Sequence, residues 1–310
     1  MEITIVVPAY NEEAVIQTFL IELDRIHTLG SAEGLEIDCL IVNDGSTDKT
    51  YEKVKDLDLN LKINVLNLSK NFGHQAAVWA GLERVRVDNF VIVIDADLQD
   101  PPSEILNIAS EFRAKKDVVF MQRLSRKDGF FKTFFASTYY ALNSWLSDIS
   151  FANNIADFYG LSPRARIALL QNKESVKYIR GLLLSLGFNQ SIIGYHRNQR
   201  FAGYTHYSIK KMFFLALSGI TGFSIKPLIW VAYFACIGSI ISFVMALYVL
   251  FIRLSSNLNL PPGWAFLSIS LMMLSTMILL GLAVISLYIA RLIQEIKRRP
   301  IYFVDDSKIL

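Results

Sequence analysis

Hydrophobic positions fall into two regimes along the chain. Up to about residue 122, short apolar runs alternate with longer stretches in which apolar residues recur every three or four positions. The runs Ile3–Val7, Ile37–Val42, Ile63–Asn67, Phe90–Ile94 and Val118–Gln122 read as strands, and Glu12–Leu29, Thr47–Leu57, Gln75–Val85 and Ser103–Lys115 as helices. Strands that are apolar on both faces and separated by helices predict an α/β domain with a mostly parallel sheet, covered on both sides.

The second regime begins at Pro227. From there to Ala290 the only charged residue is Arg253. Two stretches, about 227–252 and 265–289, each reach the ~20 apolar residues that a spanning helix requires. Between them Arg253 to Gly263 is short and turn-rich, so the pair reads as a transmembrane hairpin rather than as two buried core helices. Lys210, Lys211 and Lys226 precede it, and Arg291, Lys297, Arg298 and Arg299 follow it. This bias places both ends, and the globular part, in the cytoplasm. The expected organisation is a domain over 1–226, the hairpin over 227–290 and a cytoplasmic tail over 291–310. Met1-Glu2 leads straight into the first strand without a signal-peptide pattern.

Composition sharpens this picture only in places. The chain of 310 residues is 53% hydrophobic and 19% charged, and the apolar excess is that of the hairpin. A net charge of +3 without a long basic stripe argues against a nucleic-acid partner. Cys39 and Cys236 suggest neither a disulfide framework nor a zinc site. Gly129 to Leu146 is aromatic-rich and near-helical but too polar to span. It fits equally a helix lying in the membrane interface and one packed on the core.

The candidate chemistry follows the strands. Pro8-Ala9-Tyr10-Asn11-Glu12-Glu13 comes after the first, Asn43-Asp44-Gly45-Ser46-Thr47-Asp48 after the second, and Asp95-Ala96-Asp97-Leu98-Gln99-Asp100-Pro101-Pro102 after the fourth. Each could be a helix cap or a turn by itself. Recurring at three strand ends of one sheet, they predict a shared pocket, because open α/β sheets bind ligands beyond the carboxyl ends of their strands. Asp95 and Asp97 concentrate negative charge, and Gln99 adds a neutral oxygen. Hard oxygen donors of this kind suit Mg2+ or Mn2+, which commonly share their coordination with substrate phosphates.

These three segments resemble the family 2 inverting glycosyltransferases of the GT-A fold, and most of all the polyprenyl-phosphate glycosyltransferases, such as bactoprenol glucosyltransferases and dolichyl-phosphate mannose synthases. Asn71-Phe72-Gly73-His74-Gln75, Asp157-Phe158, Arg197-Asn198-Gln199-Arg200-Phe201-Ala202-Gly203 and the basic tail Arg291…Lys297-Arg298-Arg299 extend the likeness over nearly the whole chain. The resemblance implies a GT-A (Rossmann-like) cytoplasmic domain followed by a two-helix membrane hairpin, in a bacterial inner membrane. It implies that Pro8, Ala9, Tyr10, Glu12, Asp44, Asp95 and Ala96 hold the nucleotide, and that Asp95, Asp97 and Gln99 bind the metal and diphosphate. Asp97 and Asp157 are the implied catalytic carboxylates, with Asp157 either a base or a positioning residue. Arg123, Lys132 and Arg200 match positions near donor or acceptor phosphate, and Arg126, Lys210 and Lys211 could attract a lipid phosphate.

The implied reaction moves a sugar from a nucleotide-diphosphate donor, a UDP-hexose such as UDP-glucose, to undecaprenyl phosphate. A GDP-mannose-dependent mannosyltransferase, a soluble-acceptor transferase and a non-catalytic scaffold are alternatives; a processive polysaccharide synthase would share the fold, but the chain has no Gln-x-x-Arg-Trp signature and one hairpin is small for a translocation channel. Association into a homo-oligomer stays open. The chain departs from the family at Tyr159-Gly160, where Arg-Leu is usual, and at Tyr204-Thr205-His206-Tyr207, where Ser-Lys-Tyr or similar is usual. Both departures remove positive charge, which is expected to bear on the acceptor side.

Overall fold

The structure, a computed structural model, describes residues 1–124, 155–172, 178–197, 230–231, 233, 237, 263–297 and 300–305. Lys132, Arg200, Arg126, Lys210, Lys211, the Gly129–Leu146 segment, Tyr204 to Tyr207 and nearly all of the first expected span lie outside the described residues. The chain divides into two compact units. One comprises Met1–Tyr140, Ile149–Tyr207 and Arg298–Leu310, the other Ala141–Asp148 and Ser208–Lys297.

The first unit is built on a seven-stranded sheet. Its strands are β1 (Glu2–Ala9), β2 (Glu36–Asn43), β3 (Lys62–Asn67), β4 (Phe90–Val93), β5 (Val118–Arg123), β6 (Ile155–Leu161) and β7 (Gln190–Tyr195), in the order β3-β2-β1-β4-β6-β5-β7. β1 pairs in parallel with both β2 and β4, and β2 with β3. The exception to the parallel pattern is β6, which runs antiparallel to both β4 and β5. All five expected strands are present. Two more, β6 and β7, carry too little apolar periodicity to be read from the chain, and β7 is a part-exposed edge strand.

The helices of this unit are α1 (Ile16–Ala32), α2 (Thr50–Lys55), α3 (His74–Arg84), α4 (Glu104–Arg113), α5 (Pro163–Leu170) and α6 (Ile179–Ser185). Side chains alternate across a strand, so β1 feeds two cores. Ile3, Ile5 and Val7 pack with Phe19, Leu20 and Leu23 of α1 and Ile105, Ile108 and Phe112 of α4. Val6 turns to the other face, toward Ala77, Trp79 and Leu82 of α3 and Leu169 of α5. Helix α1 starts four residues later than the apolar period suggests. Asn11 adopts φ 57°, and a single turn closed by the Glu12 carbonyl, which accepts from the N–H groups of Val15 and Ile16, leads into the helix. The chain is thereby bent across the strand end.

Arg166, only 2% exposed, terminates α3. Its guanidinium donates to the carbonyls of Leu82 and Val85 at 2.7 and 2.9 Å, and to those of Arg86 and Val87 at 3.0 and 3.3 Å. A cation at a helix C-terminus meets the negative end of the dipole and satisfies carbonyls that the helix leaves unpaired. Arg166→Met should therefore lower unfolding stability by about 3 kcal/mol without altering any group that faces the strand-end loops, as chemical denaturation would show.

In the second unit α7 (Trp264–Lys297) runs unbroken for 34 residues, about 51 Å at the α-helical rise. Leu267, Leu271, Leu274, Ile278, Leu282, Ile285 and Ile289 are exposed along it. Among the residues described with their side chains, no helix is long and apolar enough to cross a membrane. A share of α7's apolar side chains lies outside that set.

Candidate active site

The loops after β1, β2 and β4 meet at one end of the sheet, where the strand order turns at β1 and β4. The first two are stitched together by their own polar side chains. Asn11 Oδ1 accepts from the Thr47 N–H at 2.9 Å, Ser46 Oγ from the Asn11 N–H at 3.1 Å, Thr50 Oγ1 from the Glu12 N–H at 2.9 Å and Asp48 Oδ2 from the Glu13 N–H at 3.2 Å. Asn11 and Ser46 thus lock loop to loop rather than capping helices. Pro8, Ala9 and Ala96 are buried beneath this surface, while Tyr10 stands exposed.

Asp44 is buried and already engaged. Its two carboxylate oxygens accept the N–H groups of Phe72 and Gly73 at 2.8 and 2.9 Å. Burial pushes its carboxyl above the usual range, and those two N–H groups and His74 pull the other way. The C-terminal tail reaches the same loop. The Ser69 N–H donates to the Phe303 carbonyl at 2.9 Å and the Asp305 N–H to the Asn67 carbonyl at 2.8 Å, while the Phe72 and Phe303 rings lie 6.1 Å apart. No sequence signal marked this return of residues 303–305 to the end of β3.

After β4 the segment Asp95–Asp100 is crowded with carboxylates. Leu98 takes a positive φ of 57°, an unusual conformation for a γ-branched side chain. It folds the segment back so that the Gln99 N–H donates to Asp97 Oδ1 at 3.0 Å. Burial raises the Asp97 carboxyl, and neighbouring Asp95 and Asp100 raise it further, against the Gln99 N–H and Arg197. Asp95 goes the other way. Burial would raise it, but His74, through charge and a 2.8 Å hydrogen bond from Nε2 to Oδ1, holds it below the usual range, with help from Arg123 and Arg197. His74, the first residue of α3, is correspondingly basic. Burial disfavours its imidazolium, but Asp95 and then Asp157 raise its pKa to about 9, so it is a cation at neutral pH.

Asp157 lies within β6 and not at a turn, and its Oδ1 pairs with Arg180 Nε at 3.0 Å. Arg180, on α6, also donates to the Ile155 carbonyl at 2.8 Å. Positive charge beside Asp157 therefore comes from another helix, not from the residue after Phe158. Tyr159 and Gly160 are core positions. The Tyr159 side chain is buried in the α3-side core, and a Cβ on Gly160 would stand 2.4 Å from Ile108 Cγ2 of α4. Gly160 is thus a packing feature, whereas Tyr159, its hydroxyl pKa raised first by burial and then by the Asp157 and Asp95 charges, stands close to the charged groups of the site.

Arg123, at the end of β5, faces the buried Asp100, with Nη2 3.5 Å from Oδ2. Arg197, just past β7, reaches both Asp100 (Nε to Oδ1, 3.4 Å) and Asp97 (Nη2 to Oδ2, 3.9 Å). The sequence marked Arg123, Asp95 and Asp97, and the structure brings them together. His74, Asp100 and Arg197 stood within recognised segments without an assigned role, and Arg180 and Tyr195 gave no signal.

Among the described residues no group of three or more His, Cys, Asp or Glu side chains is disposed to hold a metal ion by itself. The donor set does fit a hard divalent cation of shared coordination. Asp95, Asp97 and Gln99 would supply the oxygens, and a cation would relieve the burial and the neighbouring carboxylate charge that raise the Asp97 carboxyl. The rest of the shell would come from diphosphate oxygens and water, as is usual for Mg2+.

A mostly parallel sheet with acidic and basic residues converging beyond its strand ends frames the candidate site. Residues 4–180 match glycosyl transferase family 2, and the chain belongs to that family. It is 36% identical over 99% of its length, and 94% of the other's, to YkcC of Bacillus subtilis, an uncharacterized glycosyltransferase. It is 32% identical over 99% of its length to a prophage bactoprenol glucosyl transferase homolog of Escherichia coli, all of which is covered. A glucosyl-3-phosphoglycerate synthase of Mycobacterium tuberculosis, solved with Mn2+, UDP and phosphoglyceric acid, overlaps loosely, at 18% identity and a TM-score of 0.47 over 71% of this chain and 76% of that one.

Proposed function

We propose that the protein is a membrane-anchored transferase that moves a hexose from a UDP-sugar to undecaprenyl phosphate with inversion at the anomeric carbon. The observation that carries this reading is the meeting of the Asp95/Asp97 segment with Arg123 and Arg197 beyond the strand ends, which suits two anionic substrates held side by side. The relatives named as bactoprenol glucosyl transferases favour a polyprenyl acceptor and a glucosyl donor. The uncharged run from Trp264 to Ala290 and the exposed apolar side chains of α7 favour a lipid environment, since soluble surfaces rarely carry large contiguous apolar patches. On this reading the catalytic domain and both chain ends face the cytoplasm.

The nucleoside would lie over Pro8, Ala9, Tyr10 and Glu12, with Asp44 fixing the loop beneath it. Mg2+ or Mn2+ held by Asp95, Asp97 and Gln99 would neutralise charge developing on the leaving diphosphate. The acceptor needs little help from a base. A phosphate monoester has a second pKa of about 6, so its oxygen is already an anion at neutral pH. That oxygen forms the new bond to the anomeric carbon from the face opposite the diphosphate, which leaves with the electron pair of the broken bond. Asp157, neutralised by Arg180, suits positioning better than proton abstraction. Arg123, with Arg200 and Lys132 as further candidates, would hold phosphate oxygens through charge-assisted hydrogen bonds.

A donor panel tests this. Detergent-solubilised protein with undecaprenyl phosphate should convert labelled UDP-glucose, or another UDP-hexose, to an organic-extractable product. Preference for GDP-mannose would replace the donor assignment, and no turnover with any nucleotide sugar would favour the scaffold reading.

A further inference from the structure

Asp100 is fully buried, yet it follows directly on the loop that carries Asp97. Its Oδ1 accepts a hydrogen bond from the hydroxyl of Tyr195, itself a buried side chain at the end of β7. The same hydroxyl accepts from Arg123 Nε at 3.2 Å. Arg123 and Arg197 lie 3.5 and 3.4 Å from the two oxygens of Asp100, and Asp100 Oδ2 makes no hydrogen bond of its own. One carboxylate thus faces two guanidinium groups from two different strands, with side chains 22% and 29% exposed. An ion pair serving the fold alone would balance its charges. Here Asp100 neutralises one arginine, and the second leans toward Asp97, whose charge the candidate cation would claim. Two guanidinium groups from separate elements are thus anchored on one buried carboxylate.

The position in the sheet indicates which anion it meets. The loops assigned to the nucleoside follow β1 and β2, the diphosphate segment follows β4, and Arg123 and Arg197 follow β5 and β7, on the far side of β4 in the strand order. We propose that Asp100, with Tyr195, is a positioning residue that sets Arg123 and Arg197 as a two-pronged clamp for the phosphate monoester of the acceptor. This rests on the reading under Proposed function. Arginine is suited to such a clamp because its planar fork matches phosphate oxygens, provided that its orientation is fixed. Asp100→Asn keeps shape and the acceptor for Tyr195 but removes the charge that aligns both arginines. Tyr195→Phe keeps the charge and removes the hydroxyl linking Asp100 to Arg123.

Isothermal titration on the full-length protein tests the clamp, with farnesyl phosphate as the monoester probe and UDP with Mn2+ as the donor-side probe. Asp100→Asn should weaken farnesyl phosphate binding about tenfold, the scale of loss expected when a positioning contact is removed. Tyr195→Phe should weaken it about threefold, and the double variant should be no weaker than Asp100→Asn, because both act through one linkage. UDP affinity of the folded protein should stay within about twofold, while the thermal midpoint of Asp100→Asn falls, because a buried ion pair has lost its anion. Equal weakening of both probes, or unaltered farnesyl phosphate binding, would each overturn the proposal. Lack of glycosyl transfer by the wild type would count against the functional reading alone, since these titrations judge the clamp without turnover.

Discussion

Asp97→Asn leaves the protein folded and lowers glycosyl transfer by about 10³-fold, the scale reached when a group stabilising transition-state charge is lost. The substitution is nearly isosteric, and the Gln99 N–H keeps an oxygen acceptor at the same place. What disappears is one of the two carboxylate charges that would hold the cation, and with it the positive charge that would neutralise a departing diphosphate. The stability readout separates this loss from unfolding. Burial and the neighbouring carboxylates Asp95 and Asp100 push the Asp97 carboxyl above its usual range. The sign is that of an acid disfavoured when ionised: the ionised side chain costs the fold stability above its raised pKa, and that cost fades as pH falls. A neutral asparagine removes it at every pH, so in chelator the thermal midpoint should not fall and should rise slightly near neutrality. Loss of activity with a lowered midpoint would instead mark Asp97 as structural. Retained activity would remove it from the reaction.

Gly45→Ala is the second large effect, and its cause is backbone geometry. Gly45 has φ +66°, which side-chain-bearing residues rarely adopt. A Cβ there would stand 2.4 Å from the Lys70 carbonyl carbon and 2.7 Å from the Asn71 nitrogen. These are main-chain atoms of the loop whose next N–H groups hold Asp44, so no side-chain rotation relieves the clash. Loop 70–73 must move away from the end of β2, and Asp44 loses the two donors that compensate its burial. The cost should be about 2–4 kcal/mol in unfolding stability, with UDP affinity reduced by more than about 100-fold because the β1 and β2 loops are cross-linked to each other. Calorimetry on the folded fraction measures both. A variant that binds UDP normally would show that this loop does not shape the nucleotide site.

Much of this site could be read from the chain because its parts follow strands that are apolar throughout. Val6, Val42 and Val93 sit in runs that can only be interior strands, so the polar residues after them had to gather at one sheet end. The limits have equally physical causes. β6 carries Asp157 and the small Gly160, so its sequence lacks a strand's usual alternation, and its antiparallel fit between β4 and β5 is set by tertiary packing. β7 is half exposed for the same reason that it is hard to recognise, since it closes the edge of the sheet. Arg180 and Tyr195 lie outside the recognised segments and reach the site only through those pairings. The roles of Asp100 and His74 needed three dimensions, because each acts on a carboxylate or guanidinium that another strand supplies. The part that Gly160 plays was visible only in the fold, where its lack of a side chain makes room for Ile108 and Phe112.

Transfer of a sugar from a nucleotide diphosphate to a lipid phosphate, with a divalent cation present, can be read in one assay. The most direct measurement follows radiolabelled hexose from UDP-hexose into the organic phase, using purified protein with undecaprenyl phosphate and, in parallel, undecaprenol. Label is expected in the organic phase only with the phosphorylated lipid, with loss in excess chelator and return on adding Mg2+ or Mn2+. Equal labelling of undecaprenol, or undiminished labelling in chelator, would contradict this reading.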